Sequence, residues 1–330
     1  MATAQYDVTG IGNAIVDVLA QADEGFLAKH ELTKGVMTLI DASRARALYE
    51  AMPPGVERSG GSAANTMAGV ASLGGSGAYI GKVRNDQLGG VFSHDLRAAG
   101  IDYRTVPATS GAPTARCLIF VTPDAQRTMQ TFLGVSVELG PDDIDPSAIE
   151  DAQITYLEGY LFDPPLAKEA FVRAAEIAHA KSRKVALTLS DPFCVDRHRA
   201  AFQQLVEHHV DILFANELEL LSLYQSKSFE DALAAVKGKC ELAAVTRSEK
   251  GSVLAAGGKM VHVKAERVAK VVDTTGAGDL YASGVLYGLT RGYELPMCGR
   301  IGSIAAAEVI SHYGARPETS LAKLVTQKLG

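Results

Sequence analysis

The chain has 330 residues, 32 of them glycine and none tryptophan, with 47% hydrophobic and 21% charged residues. This composition excludes a mainly disordered chain, the glycines lack the every-third-residue period of collagen, and the length leaves ample capacity for a buried core. Lysine plus arginine (32) less aspartate plus glutamate (38) gives a net charge of −6, which argues against non-specific binding to nucleic acid or anionic membranes while leaving room for a local phosphate site.

In chain order, the opening residues Met1-Ala-Thr-Ala-Gln-Tyr-Asp show no basic region ahead of an apolar stretch, so no signal peptide is expected. The four cysteines, Cys117, Cys194, Cys240 and Cys298, have no metal-ligand spacing and read as reduced thiols of a cytoplasmic protein. Tyr6-Asp-Val-Thr-Gly-Ile-Gly reads as a buried strand ending in a glycine turn. Ala14–Ala20 and Val36–Ile40 read as a strand pair, and Thr114–Val121 and Arg127–Leu133 as a second pair around the turn Thr122-Pro-Asp-Ala. Neither pair encloses a helix of useful length, so these strands are expected to form a small separate sheet, a lid. Ser59 to Gly81 carries no charge, but its Gly, Ser, Asn and Thr content argues for a closely packed soluble helix and against a membrane span.

From about residue 150 the pattern changes. Ile154–Leu157, Lys184–Ser190, Asp211–Phe214 and Leu242–Thr246 are short apolar or β-branched runs. Helical spacings such as Ala167, Ala170, Phe171, Ala174 and Ala178 lie between them. Such alternation predicts an α/β fold with a mostly parallel sheet covered on both faces, and ligands beyond the carboxyl ends of its strands. The expected division is a core of residues 1–12, 43–103 and 135–330 and a discontinuous β lid of residues 13–42 and 104–134.

Two motifs carry chemistry. Asp273-Thr-Thr-Gly-Ala-Gly-Asp279 follows the strand-like Arg267-Val-Ala-Lys-Val-Val and precedes a helix. Asp273 or Thr275 would begin a turn, and the glycines let backbone N–H groups crowd around an anion at the helix's positive end. Asp279 suits that place if it takes a proton from a hydroxyl attacking a phosphoryl group; a glycine turn with a helix cap is the plainer alternative. Gly60-Gly-Ser-Ala-Ala-Asn-Thr enters a helix of small residues. Gly60 and Gly61 permit close approach to a ligand, Ser62 would cap the helix, and Asn65 offers donor and acceptor to a neutral hydroxyl; close helix packing is the alternative.

Together with Gly10-Ile-Gly-Asn-Ala-Ile-Val-Asp17, Gly81-Lys-Val-Arg-Asn-Asp-Gln-Leu-Gly89 and Asn216-Glu-Leu-Glu219, these motifs resemble the ribokinase-like (pfkB) family of ATP-dependent sugar and nucleoside kinases over nearly the whole chain. Leu157-Glu-Gly-Tyr-Leu, Leu187-Thr-Leu-Ser-Asp-Pro-Phe and Val210-Asp-Ile-Leu-Phe-Ala-Asn-Glu are more similar to adenosine kinases than to ribokinases. The resemblance implies a three-layer α/β/α core with a β-sheet lid, and an enzyme moving the γ-phosphoryl group of ATP to the 5′-hydroxyl of adenosine. A kinase for ribose, fructose or a related sugar is the neighbouring reading, and a non-catalytic nucleotide- or sugar-binding module is one of another class. Gly10-x-Gly12 lacks the third glycine of a dinucleotide fingerprint, because Ile15 stands there.

By the same resemblance, Asp17 would accept from the ribose 2′- and 3′-hydroxyls, with Asn13, Gly60, Gly61 and Asn65 completing the acceptor site. Asp279 would be the general base, and Gly276, Ala277 and Gly278 the anion hole. Asn216, Thr246, Ser248, Gly251, Thr275 and Gly278 would meet the nucleotide, and Glu219 would hold Mg²⁺ through water, a helix-terminus role being the alternative for the Asn216–Glu219 pair. Arg127 would bring a guanidinium from the lid to phosphate, an exposed strand charge being the alternative. Leu39, Phe132, Tyr160 and Leu161 would wall the pocket or simply pack the core. Ser248 departs from the family pattern, which has glycine there. A monovalent cation such as K⁺, on mostly backbone carbonyls, is a further implied cofactor; the partners implied are ATP and a small acceptor, no nucleic acid and no membrane, in a monomer or homodimer.

Overall fold

The computed structural model describes residues 4–124 and 126–330. Residues 1–3 of the first expected core segment and Ala125 of the expected lid turn lie outside the described residues. The strands in chain order are β1 (Tyr6–Ile11), β2 (Ile15–Gln21), β3 (Met37–Leu39), β4 (Val56–Gly60), β5 (Gly77–Ile80), β6 (Ile101–Tyr103), β7 (Ala115–Val121), β8 (Arg127–Phe132), β9 (Ala152–Glu158), β10 (Lys184–Thr188), β11 (Ile212–Asn216), β12 (Leu242–Thr246), β13 (Ser252–Ala256) and β14 (Lys259–Val263).

Nine strands form one sheet in the order β14-β13-β12-β11-β10-β9-β1-β5-β6. The run from β12 to β6 is parallel throughout, and the hairpin β13–β14 adds two antiparallel strands at one edge. Burial on both faces explains why these strands read as continuous apolar runs. In β11, Leu213 and Ala215 face one hydrophobic cluster while Ile212 and Phe214 face the other, which makes the body a three-layer α/β/α sandwich.

The second sheet has the order β3-β8-β7-β2-β4. It contains both strand pairs read from sequence and one strand more: β4 pairs antiparallel with β2, with Ile15 opposite Gly60. Residues 56–60 therefore belong to the small sheet, a correction to the 43–103 core segment. Val-Glu-Arg-Ser-Gly has no apolar alternation, and its pairing comes from β2. A six-residue helix, Glu24–Lys29, capped by Asp23, also fits between β2 and β3. In β2 the buried Val16, Val18 and Ala20 alternate with half-buried Ile15 and Asp17, so the pleat turns Asp17 away from the apolar face.

The uncharged stretch contains the helix Ser62–Ser72 and β5. That helix packs against the helix Ala277–Thr290, where Gly69 lies over Ser283: a Cβ on Gly69 would stand 2.3 Å from Ser283 Oγ. Among the described residues no helix is long and apolar enough to cross a membrane. Arg267–Val272, read as strand-like, is not a strand. Val272 N donates to Ile310 O (2.8 Å), just past the helix Leu295–Val309, and the preceding Glu266 N donates to Ser303 Oγ (2.7 Å) within that helix.

Candidate active site

Two glycine-bearing helix starts meet at Asp279. The helix Ala277–Thr290 begins after Gly276, which caps it with φ +80° and no side-chain hydrogen bond. The early N–H groups of a helix have no intrahelical partner, and a Cβ built on Gly278 would meet nothing within 4 Å. The helix therefore presents its positive end to open space. Asp273, at the start of the loop, holds it in shape: its Oδ1 accepts from Thr275 N (3.0 Å) and Thr275 Oγ1 (2.7 Å), and its Oδ2 from Gly314 N (3.0 Å).

Asp279 itself faces the helix Ser62–Ser72. Ser62 Oγ donates to its Oδ1 at 2.6 Å and Asn65 Nδ2 to its Oδ2 at 3.0 Å. Ser62 does not cap its own helix as expected, because Gly61 occupies the cap and the hydroxyl is committed to Asp279. Loss of water pushes the Asp279 carboxyl up to about 6, against the pull of these two donors and of Arg316.

Asp17 stands against the Gly60-Gly61 turn. A Cβ on Gly60 would lie 2.4 Å from Asp17 Oδ2, and one on Gly61 2.4 Å from Asn13 O, where φ is +92°. Each glycine is required by close approach, at Gly61 by backbone conformation as well. Burial raises Asp17 to about 6, opposed by Arg127 and Arg316, with Asp279 adding to the rise.

Asn13 is nearly sealed: its N (3.3 Å) and Nδ2 (2.9 Å) donate to Glu158 Oε1, and its Oδ1 accepts from Ser136 Oγ (2.9 Å). Glu158 Oε2 also accepts from Ala63 N (2.8 Å). Burial pushes Glu158 up to about 7 against these donors. Glu158, Ser136, and Arg316 are residues the sequence reading did not single out. Glu158 had a signal, an acid closing a strand buried along almost its whole length; Ser136 sits in the short 3-10 helix Gly134–Glu138 and Arg316 in an irregular segment, with none.

Arg127, on β8 of the small sheet, is ion-paired with Asp273 and donates to Thr275 Oγ1 (3.2 Å), with 8% of its side chain exposed. Its Nε is buried without a partner among the described residues. The small sheet thus reaches the loop of Asp273 and Thr275 directly.

A second group lies along the carboxyl ends of β11 and β12, where Asn216 and Thr246 are register partners. Asn216 and Glu219 form a capping box: Asn216 Oδ1 accepts from Glu219 N (2.9 Å), and Glu219 accepts from Asn216 N (2.9 Å) and Nδ2 (2.7 Å). Burial raises Glu219 to about 7, with Asp191 and Asp279 adding repulsion. Ser248 has φ +50°, the left-handed conformation, so serine occupies a glycine-type backbone position ahead of Gly251. Arg247 is committed to Glu217 (2.9 Å) and lies 3.8 Å over the Phe229 ring. Of the expected pocket wall, Leu161 and Phe132 are buried, Leu161 within the main core cluster, while Leu39 and Tyr160 are exposed.

The profile described as pfkB family carbohydrate kinase matches residues 38–321. A solved structure of adenosine kinase from Sinorhizobium meliloti is 52% identical, with a TM-score of 0.91 over 98% of this chain and 100% of that one. A "probable sugar kinase protein" from Rhizobium etli CFN 42 is likewise 52% identical, with a TM-score of 0.91 over 99% of both chains. Adenosine kinase of Saccharomyces cerevisiae is 26% identical over 92% of this chain and 94% of that protein. The three-layer core with its small sheet is ribokinase-like.

Proposed function

The chain belongs to the pfkB family of carbohydrate kinases, and on that premise we propose that it transfers the γ-phosphoryl group of ATP to the 5′-hydroxyl of adenosine, giving AMP and ADP. The observation that carries the reading is the placement of an ionisable carboxylate, Asp279, in the first turn of a helix whose N-terminus, without a side-chain cap, opens onto free space beside Gly278. Phosphate oxygens fit that end of the helix, and the hydroxyl fits the carboxylate.

In the proposed step, Asp279 takes the proton of the 5′-hydroxyl as its oxygen attacks the γ-phosphorus. The bond from the γ-phosphorus to the β–γ bridging oxygen breaks and ADP leaves. Asp17 orients the sugar diol, and the N–H groups of Gly278 and its neighbours stabilise charge on the transferring group. Arg127, with one donor unpartnered, offers a positive charge when phosphate arrives. Among the described residues no three His, Cys, Asp or Glu side chains converge as a metal site. A magnesium ion would therefore come with the nucleotide phosphates and neutralise their charge. Glu219, raised by burial and repulsion, fits a place near that cation, and with Asn216 would hold its waters. Nucleotide contacts are assigned to Asn216, Thr246, Ser248, Gly251 and Thr275.

Likeness to the Sinorhizobium and yeast adenosine kinases supports the nucleoside acceptor. The equal identity to the Rhizobium sugar kinase favours a second reading, a free sugar acceptor. ADP release measured with adenosine, inosine, ribose and fructose separates them: adenosine is expected to give the highest kcat/KM, and a large margin for ribose or fructose would overturn the nucleoside assignment.

A further inference from the structure

We propose that Arg316 is a positioning residue for Asp279, acting through the side-chain amide of Asn65. The assignment rests on the reading of Asp279 as the base. Arg316 follows the helix Leu295–Val309 and belongs to neither motif. Its Nε donates to Asn65 Oδ1 at 2.8 Å and its Nη2 to Ser59 Oγ at 3.1 Å. A guanidinium only donates, so it fixes which end of the amide it faces. With the Asn65 oxygen held by Arg316, the NH₂ is left to face Asp279 Oδ2, 3.0 Å away. An amide released from Arg316 is free to turn its oxygen toward the carboxylate, where two acceptors repel.

The charge of Arg316 acts in the same direction. Among the described residues it is the cation that draws Asp279 down, and it does the same, beside Arg127, for Asp17. The remaining groups bearing on Asp279 are Ser62 and Asn65 from the helix Ser62–Ser72, Asp17 from β2, Tyr156 and Glu158 from β9, Tyr160 just beyond it and Glu219 from the helix Glu217–Tyr224. All but Ser62 and Asn65 are anionic, or become so on losing a proton, so nothing else replaces the arginine's charge. Because Ser59 lies on β4, the same side chain also ties the small sheet to the base.

The test is the titration of the Asp279 carboxyl by ¹³C NMR, its resonance assigned by its absence from Asp279→Asn, in the full chain and in Arg316→Met and Arg316→Lys. Removing the cation is expected to raise the Asp279 titration, and with it the acid limb of kcat, by about one pH unit or more; lysine is expected to return most of that shift. KM for ATP is expected to stay within about twofold, since a lost ground-state contact would appear there. Should Arg316→Met not fold, Arg316→Gln takes its place with the same outcomes. An unmoved titration in the charge-removing variant overturns the positioning role even if the enzyme is active. A moved titration without any ATP-dependent turnover by the unmodified protein overturns the phosphotransfer reading and leaves the positioning role standing.

Discussion

The hydroxyl of Ser62 lies 2.6 Å from Asp279 Oδ1, joining residues 217 apart in sequence. Each stands in the first turn of its own helix, so one short contact sets both glycine-led turns around a common space. Ser62→Ala removes a donor to an ionised group, worth about 1.5–3 kcal/mol. It is expected to lower kcat by roughly tenfold or more and to move the acid limb of its pH profile upward, as steady-state kinetics from pH 5 to 9 would show.

Asp279 also makes stability depend on pH. Its carboxyl is raised to about 6, so the folded chain holds a proton that the unfolded chain releases near its ordinary, lower value. The favourable contribution is complete below the unfolded value and is lost as pH rises through about 6. Asp279→Asn removes the buried charge and keeps partners for both Ser62 and Asn65. Denaturant unfolding is expected to show it more stable than the unmodified chain by on the order of 1–3 kcal/mol at pH 8, with the gain gone below pH of about 4.

Gly60 leaves room for Asp17, whose Oδ2 would lie 2.4 Å from an added Cβ. Gly60→Ala is therefore expected to displace the carboxylate assigned to the acceptor. Initial-rate kinetics should show KM for the acceptor raised at least ~10-fold, equivalent to about 1.4 kcal/mol, with KM for ATP little changed.

Much of the body was legible from sequence because each central strand is buried on both faces, as Leu213 and Phe214 illustrate on opposite sides of β11. β4 was not, since Glu57, Arg58 and Ser59 take strand form only through the backbone of β2. Arg267–Val272 misled for the converse reason: its residue types are strand-like, but Val272 N finds its partner at Ile310 and not on a neighbouring strand. In the site, the glycine motifs marked Asp17, Gly60, Asn65 and Asp279, because close approach needs glycine. They could not mark Arg316, which meets Asn65 across 251 residues from an irregular segment.

Ser248 carries a conformational cost in its left-handed backbone, φ +50°. Ser248→Gly relieves about 1–2 kcal/mol of steric strain and adds about 0.4–1 kcal/mol of unfolded-state entropy. A net stabilisation of about 0.5–1 kcal/mol is expected, and Ser248→Val, branched at Cβ, should destabilise; urea unfolding midpoints measure both.

Whether Asp279 is the base of a phosphotransfer is decided by kcat of Asp279→Asn with ATP and adenosine. The folded variant is expected to turn over at least ~100-fold more slowly than the unmodified chain, in the range general base catalysis contributes. Near-normal turnover in that variant would show that Asp279 is not the base.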